Sequence, residues 1–209
     1  SAAALEEAPD KRFITIDANQ NANVAENTAV DGAVLTVAIT DGPATGCAIA
    51  STGHTDVDND GTLPFQISAT CVITVNDQGD LDYESGTTSW TLTILASNDA
   101  GDSDVETVDI SVTNVDEAPT AISLSSTSVS ETSGAGSSVG TITVTDPDSG
   151  ETYAAADLTL AGNDADDFTI ADSGGDIVLQ HDNALDFETD PSYSITIAAD
   201  DPDDGNLAL

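Results

Sequence analysis

Short stretches of alternating apolar and polar residues run through the whole chain. Thr141–Thr145 and Tyr193–Ala199 alternate strictly, which is the pattern of β-strands that bury one face. The first half contains seven predicted strands, at Phe13–Asp17, Ala33–Thr40, Cys47–Ala50, Phe65–Ser68, Cys71–Val75, Trp90–Ala96 and Glu106–Val112. The second half contains six, at Ala121–Ser125, Val139–Thr145, Leu158–Ala161, Phe168–Ala171, Ile177–Gln180 and Tyr193–Ala199. The pattern predicts an all-β fold of antiparallel strands in Greek-key β-sandwiches.

The sequence also repeats itself. Val24-Ala-Glu-Asn-Thr28 corresponds to Val129-Ser-Glu-Thr-Ser133, and Leu81-Asp-Tyr-Glu84 corresponds to Leu185-Asp-Phe-Glu188, at a nearly constant spacing. Such repetition predicts two homologous β-sandwich domains in tandem, end to end. The expected division is a linker remnant at 1–9, a first repeat at 10–113 with an acidic insert at 51–64, a linker at 114–119, and a second repeat at 120–209. The second repeat is expected to lack its last strand, which would leave an open edge suited to strand exchange between copies.

Charge excludes several classes of function. The chain has 39 Asp and Glu against 2 Lys and Arg, for a formal net charge of −37. Such a chain cannot neutralise phosphates, so binding to nucleic acid or to an anionic membrane surface is excluded. No apolar run approaches the length of a membrane span. Because so many carboxylates repel one another, the charge itself calls for bound metal ions or bulk salt.

The acidic residues gather beside the ends of the predicted strands. A single Asp at such a place is ordinarily a turn residue, so the interpretation depends on the set. Calcium takes six to eight oxygen ligands and accepts carboxylates through one oxygen or through both, which suits clusters of this kind. The sequence therefore favours calcium as the cation.

Several of these motifs together resemble cadherin repeats. They are Leu-Asp-aromatic-Glu, the pair Asp146-x-Asp148, Ala199-x-Asp201, and a linker that ends in Ala118-Pro119. Asn-Val-Asp-Glu-Ala-Pro at 114–119 is most similar to the linkers of large bacterial surface adhesins. The resemblance implies an extracellular, cell-surface adhesion segment whose partners are neighbouring repeats and possible homophilic contacts. It also implies calcium at the junction, held by Glu26, Asp82, Glu84, Asn114, Asp116, Glu117, Asp146, Asp148 and Asp201.

One acidic motif lies outside the repeat. Asp56-x-Asp58-x-Asp60-Gly61 matches the opening of an EF-hand calcium loop. The twelfth position is Ile67 rather than Glu, and no flanking helices are predicted, so the segment is a poor EF-hand. Two interpretations stay open, a calcium-binding loop between strands and a plain acidic loop.

Cys47 and Cys71 are the only cysteines. Their spacing does not suit zinc, and the favoured interpretation is a structural disulfide formed in an oxidising compartment. Two free buried thiols are the alternative.

No enzyme is predicted, because thin sandwiches offer no deep cleft and His54 and His181 are expected in surface loops without a nucleophile. Two functions remain, namely a calcium-stiffened spacer of an adhesin and a calcium-dependent polysaccharide-binding module. A sugar site needs an exposed aromatic platform. Trp90 and Tyr193 are expected in the core, which leaves Tyr153 as the aromatic available to a ligand. The spacer is therefore favoured.

Overall fold

The computed structural model describes residues 13–50, 53–204 and 208–209. The chain divides into two compact units, Ser1–Val115 (unit 1) and Asp116–Leu209 (unit 2). The regular elements of the described residues are strands, apart from four single-turn 3₁₀ helices. The fold is all-β, as the alternation predicted.

Unit 1 is built from three sheets. One has the strand order β2-β9-β8-β5, a second the order β3-β7-β6, and a two-stranded sheet pairs β1 with β4. The strands are β1 (Thr15–Ile16), β2 (Gln20–Ala25), β3 (Ala33–Thr36), β4 (Ile39–Asp41), β5 (Gly46–Ala50), β6 (Phe65–Ile67), β7 (Val72–Val75), β8 (Ser89–Ser97) and β9 (Ser103–Thr113). Single 3₁₀ turns at Gly79–Leu81 and Tyr83–Ser85 connect β7 to β8.

Strand β2 differs from the prediction in two ways. The segment Gln20–Ala25 was not predicted as a strand, and it pairs with β9 in parallel rather than antiparallel, with Gln20 opposite Val108. Half of its residues are polar, and Val24 is its single deeply buried side chain. The segment alternates only weakly, with Asn21 and Asn23 exposed, Ala22 half-buried and Val24 buried, so the pairing with β9 supplies much of what holds it as a strand.

The predicted strand Ala33–Thr40 is broken in the structure. β3 pairs with β7, whereas β4 pairs with β1, so the two halves belong to different sheets. Between them, the side-chain amide of Gln20 accepts a hydrogen bond from the Ala38 N–H at 2.7 Å and donates one to the Ala38 carbonyl at 3.2 Å. The Gln20 side chain thus satisfies the backbone where the strand is interrupted.

The core of unit 1 combines residues from the two larger sheets. Alternate residues of β8 point inward, and Trp90, Leu92, Ile94 and Ala96 are all buried. The Trp90 ring packs edge-on against Phe65 of β6 at 5.4 Å between centroids. Each of these large side chains contributes roughly 1.5–3 kcal/mol through burial of apolar surface.

Cys47 and Cys71 form a disulfide, with their Cα atoms 5.2 Å apart. The bond joins β5 to the turn that precedes β7, and these strands belong to different sheets. The favoured interpretation of the two cysteines is therefore correct, and the free-thiol alternative is not.

Unit 2 has a four-stranded sheet of order β10-β11-β14-β13 and a two-stranded sheet of β12 and β15. The strands are β10 (Ala121–Leu124), β11 (Ser138–Thr145), β12 (Leu158–Ala161), β13 (Phe168–Ser173), β14 (Asp176–His181) and β15 (Thr196–Ala199). Single 3₁₀ turns precede β12 and β13. In the described part of unit 2, the pairing that follows β15 is an isolated bridge between Asp200 and Ala208.

Two expectations are wrong in unit 2. His181 does not lie on a surface loop: it ends β14, is fully buried, and its Nδ1 lies 2.9 Å from the carbonyl oxygen of Asn183. The unit also has a cleft, a cavity of about 650 Å³ lined largely by apolar residues such as Phe168, Leu179 and Ile197. No deep cleft was expected in a thin sandwich, whereas residues of both sheets of unit 2 line this cavity.

Candidate metal centres

Three carboxylates predicted as ligands meet in unit 1. Glu26, Asp82 and Glu84, which we call the first-unit acids, each place an oxygen within 4.8 Å of the others. Glu26 follows β2, whereas Asp82 and Glu84 lie in the 3₁₀ turns before β8. Glu26 is thus far in sequence from Asp82 and Glu84 of the Leu-Asp-aromatic-Glu motif, and the fold brings the three side chains together.

Glu26 is buried, at 6% exposure, and both of its carboxylate oxygens accept backbone hydrogen bonds. Oε2 accepts from the N–H of Tyr83 at 2.8 Å, and Oε1 accepts from the N–H of Val115 at 2.6 Å. Charge-assisted bonds of this kind are stronger than neutral ones. Glu26 therefore fixes the backbone of the motif and of the first linker residues. Asn114, also predicted as a ligand, is exposed beside it at the end of β9.

Other predicted ligands lie in unit 2. Oδ2 of Asp148 accepts from the N–H of Glu117 at 2.7 Å, and Oδ1 of Asp146 accepts from the N–H of Asp148 at 2.9 Å. The Tyr153 hydroxyl donates to Oδ2 of Asp146. Burial, and then this hydrogen bond, raises the pKa of Tyr153 well above its ordinary value, so the phenol stays protonated as the donor. Tyr153 also packs against the core. The expectation that it is free to contact a ligand is wrong.

Asp201 is the most buried acid of unit 2, at 3% exposure. Its Oδ1 accepts from the N–H groups of Asp203 and Asp204, but its buried Oδ2 has no hydrogen-bond partner among the described residues. A buried charged oxygen without a partner is costly unless a cation balances it. This orphaned oxygen is the observation in unit 2 that fits a metal ion best.

The pKa values of Asp116 and Glu151 are raised by the other carboxylates near Asp201 as well as by loss of hydration. Loss of hydration, followed by repulsion from Asp201 and Asp148, raises the pKa of Asp116 above its ordinary value. The pKa of Glu151 is raised by loss of hydration and by repulsion from Asp203 and Asp201. Glu151 was not predicted as a site residue. We call the following set the second-unit acids: Asp116, Asp146, Asp148, Glu151 and Asp201.

The oxygens of the second-unit acids lie farther apart than those of the first-unit acids. Within the described chain, no three of them bring oxygens within 4.8 Å of one another. Their ligand atoms are nonetheless all oxygens, the donor type that calcium prefers. The residues of unit 2 therefore fit calcium by donor chemistry and by the orphaned oxygen of Asp201.

The acidic insert places its three aspartates on one loop. Oδ1 and Oδ2 of Asp56 accept from the N–H groups of Asn59 and Gly61 at 2.7 and 2.9 Å. Oδ1 of Asp58 accepts from the N–H of Asp60 at 3.1 Å. Gly61 has a φ of +98°, a conformation that an L-residue adopts only with strain. The loop connects β5 to β6 without flanking helices, and Ile67, at the EF-hand's twelfth position, lies in β6.

Two further aspartates approach this loop. Asp80 groups with Asp56 and Asp58, and Asp77 groups with Asp58 and Asp60, in both cases with oxygens within 4.8 Å of one another. Sequence reasoning missed both, because they follow β7 and lie far along the chain from the loop. The signal available was the pair of acids, Asp77 and Asp80, directly after a buried strand.

Crowding raises the pKa values of two of these acids. For Asp80, loss of hydration raises the pKa, and hydrogen bonds from the N–H groups of Val57 and Asp58 only partly offset that rise. For Asp58, the hydrogen bond from Asp60 lowers the pKa, but loss of hydration and repulsion from Asp60, Asp77 and Asp56 together raise it more. The loop therefore holds charge that its own hydrogen bonds do not compensate.

Unit 2 repeats the arrangement of the first-unit acids. Glu131, Asp186 and Glu188 form a group with the same spacing, and Oε2 of Glu131 accepts from the N–H of Phe187 at 2.8 Å. All three residues are exposed. The internal repeat seen in the sequence is thus also a repeat of site geometry.

Comparison with known proteins finds a similar family of domains. Residues 125–208 match the family model of the cadherin domain. The chain is cadherin-like. Solved cadherin structures are similar to this chain over residues of both units, since each of those described below covers more than nine-tenths of the chain. No curated protein sequence matches this cadherin-like chain.

Three of the similar solved structures illustrate the match. Domains EC1-4 of PcdhgB3 share 27% sequence identity with a TM-score of 0.65, over 95% of this chain and 47% of that one. Extracellular cadherin domains 3-6 of protocadherin gamma B2 share 25% identity with a TM-score of 0.63, over 94% and 44%. Domains EC22-24 of mouse cadherin-23 share 24% identity with a TM-score of 0.58, over 95% and 62%. This chain thus spans less than half of the first two structures.

The cadherin domain is an adhesion-type fold that is not enzymatic, and cadherin domains in general bind calcium. Protocadherin gamma B2, one of the similar structures, is described as extracellular cadherin domains. Among the described residues, no helix has the length and apolar character needed to cross a bilayer.

Proposed function

We propose that this chain is a calcium-binding tandem segment of a bacterial extracellular adhesin, stiffened by calcium at the junction of its two repeats. In this role the first-unit acids, the linker residues Asn114, Asp116 and Glu117, and the acids Asp146, Asp148 and Asp201 supply the ligands. The segment serves adhesion as a spacer or contact module between neighbouring repeats. The bacterial source is proposed from the similarity of the linker at 114–119 to adhesin linkers.

The observation that carries the proposal is the unpartnered Oδ2 of Asp201. It lies buried in unit 2, beside acids close enough to raise the pKa of Asp116, the linker residue that opens the unit. A divalent cation would balance this charge and satisfy the orphaned oxygen. Glu26 adds support from unit 1, because it binds the backbone of both Tyr83 and Val115. The acids of unit 1 are thereby tied to the segment that leads into the linker.

The alternative function, a polysaccharide-binding module, has less support. It depended on Tyr153 as an exposed aromatic platform, and Tyr153 instead donates to Asp146 and packs on the core. A calcium-dependent pull-down against polysaccharides separates the two functions, since a spacer retains none of them.

Small-angle scattering with Asp116→Ala tests the proposal. In saturating calcium, the parent chain should give a narrow, extended distribution of shapes, and the variant should give a broader one. The physical reason is that the variant loses a linker ligand, so facing carboxylates repel without a bridging cation. In EDTA, the parent should resemble the variant.

Asp109→Asn is the matched control. Asp109 lies exposed on β9, where it accepts a hydrogen bond from the Thr91 hydroxyl, and its change also removes one negative charge. It should scatter like the parent in calcium. If Asp116→Ala is as rigid as the parent, the junction is held by something other than these acids.

A further inference from the structure

The acidic insert has a second set of carboxylates beneath it. Asp56, Asp58 and Asp60 come from the loop, and Asp77 and Asp80 come from the turn after β7. The five form two triads that share Asp58, and in each triad the oxygens lie within 4.8 Å of one another. All five residues belong to unit 1, so this cluster is separate from the second-unit acids.

Asp80 distinguishes this cluster from an ordinary acidic loop. Its side chain is 0% exposed, and its Oδ1 accepts from the N–H groups of Val57 and Asp58. Its Oδ2 is buried and has no hydrogen-bond partner among the described residues. A fully buried carboxylate that points toward other carboxylates is strongly unfavourable unless a cation lies among them. The residues that the structure describes contain no Lys or Arg to play that part.

Two more observations, at Asp77 and Gly79, show that the turn after β7 lies close against the acids of the loop. Oδ2 of Asp77 is also buried without a hydrogen-bond partner in the described chain. At Gly79, an added Cβ would lie 2.5 Å from Oδ2 of Asp58 and 3.4 Å from Oδ1 of Asp77. Only glycine leaves room for the Asp58 carboxylate to approach the turn this closely.

We propose that Asp56, Asp58, Asp60, Asp77 and Asp80 form a calcium site within unit 1, independent of the inter-repeat junction. Five carboxylates with up to ten oxygens can supply the six to eight ligands that calcium takes. Magnesium is disfavoured, because it requires near-ideal octahedral geometry and dehydrates reluctantly. The turn residues Asp77 and Asp80 take the part that the missing Glu at Ile67 would play in an EF-hand.

The single tryptophan gives this site its own reporter. Nε1 of Trp90 donates to the carbonyl oxygen of Thr55 at 3.4 Å, directly before Asp56. The chain contains one Trp, so a signal excited through tryptophan originates at Trp90, beside this loop. Terbium, a luminescent substitute for calcium, should therefore emit by energy transfer from Trp90 when it occupies the site. Tyr83 and Tyr153, which lie near the other acids, are not excited under the same conditions.

The test uses the full 209-residue chain with terbium alone, followed by competition with calcium. The parent should show Trp-sensitised emission that calcium abolishes. Asp58→Asn and Asp80→Asn should each lower the affinity by about tenfold or more, because each removes a charged ligand. Asp58 is exposed, and Asn retains its acceptor for the Asp60 N–H, so Asp58→Asn should fold normally. Gly79→Ala should also weaken binding, although it removes no carboxylate.

Two controls separate this site from the junction. Asp116→Asn removes a linker acid and should leave the Trp-sensitised emission unchanged. Asp109→Asn removes one exposed charge of unit 1 and should also leave it unchanged. Hydrogen exchange should show slower exchange at the N–H groups of residues 59–62 once calcium is added. The proposal is overturned if the parent gives no Trp-sensitised emission, or if Asp58→Asn and Asp80→Asn bind terbium as tightly as the parent.

Discussion

Glu26 and Tyr83 lie 57 residues apart in the sequence and are joined by a hydrogen bond of 2.8 Å from the Tyr83 N–H to Oε2 of Glu26. The equivalent pair in unit 2, Glu131 and Phe187, is joined by the same bond at 2.8 Å across 56 residues. The two glutamates differ in burial and in their second oxygen. Glu26 is buried and also accepts from Val115, whereas Glu131 is exposed.

This difference predicts unequal effects of the same substitution. Glu26→Gln should destabilise the calcium-free chain by about 1–3 kcal/mol, because one of two buried charge-assisted bonds is replaced by an NH₂ group that faces an N–H donor. Glu131→Gln should lower the free energy of unfolding by clearly less, since the remaining amide oxygen can still accept the hydrogen bond from the N–H of Phe187. Chemical denaturation in EDTA measures both. Equal losses for the two variants would show that the second acceptor of Glu26 has no energetic importance.

Calcium should raise the melting temperature far more than magnesium does. At a free calcium concentration about one hundred times the dissociation constant, binding stabilises the folded state by about 2.7 kcal/mol. For a unit of roughly 100 residues this corresponds to a shift of about 10–20 °C. Calorimetry in calcium, in magnesium and in sodium chloride of matched ionic strength separates specific binding from screening. Equal melting temperatures in calcium and in EDTA at physiological salt would contradict the prediction.

Asp80→Asn should have opposite effects with and without calcium. In EDTA at pH 7 the variant should melt higher than the parent, because it removes a buried negative charge that has no cation beside it. In saturating calcium it should melt lower, because it loses a ligand. Melting curves of both proteins in both buffers measure the reversal. A variant that melts lower than the parent in both buffers would show that the Asp80 carboxylate is satisfied without metal.

The pH dependence of that difference follows from the pKa of Asp80. In the folded, metal-free chain the pKa of Asp80 is raised above its ordinary value of 3.8. At a pH between the ordinary and the raised pKa, the folded state therefore binds a proton that the unfolded state has released. Stability therefore falls as the pH rises through the folded pKa, and the penalty is fully present above it. The difference in melting temperature between the parent and Asp80→Asn in EDTA should become smaller as the pH is lowered from 7 toward 4.

Unit 2 should exchange its backbone amides faster than unit 1. In the described residues, the buried core of unit 2 consists of Ile142, Leu158, Phe168, Leu179 and Ala199. The buried core of unit 1 is larger and includes four residues of β8, two of β7 and three of β9. The cavity of about 650 Å³ reduces packing further. Amides with fewer buried apolar contacts open at lower free energy. Native-state hydrogen exchange in calcium measures the difference, and equal protection of β8 and β15 would contradict it.

The sequence predicted the strands that carry large apolar residues at alternate positions and missed β2, in which Val24 is the one large apolar residue. β8, β11 and β14 lie within a residue or two of their predicted bounds, because a buried face requires period-two alternation. Gln20–Ala25 alternates only weakly, because Val24 is its one large apolar residue, and it forms a strand by pairing with β9.

The same distinction applies to the metal centres. Asp56, Asp58 and Asp60 were predicted because their motif is local. Asp77 and Asp80 complete the cluster from another part of the chain, and Val57 and Asp80 are 23 residues apart. No local pattern encodes that approach, because it arises only when β6 and β7 pair and turn the chain back under the loop.

The parallel pairing of β2 with β9 determines how unit 1 bears mechanical force. Gln20 lies opposite Val108, and Ala25 lies opposite Thr113, so the chain enters one end of the ladder and leaves from the other. Tension along the chain then shears all the hydrogen bonds of the ladder together, whereas antiparallel terminal strands would unzip one bond at a time. Stretching single molecules should therefore find unit 1 resistant until the whole ladder gives way at once. The short strand β2, with one deeply buried side chain, should thus act as the mechanical clamp of the unit.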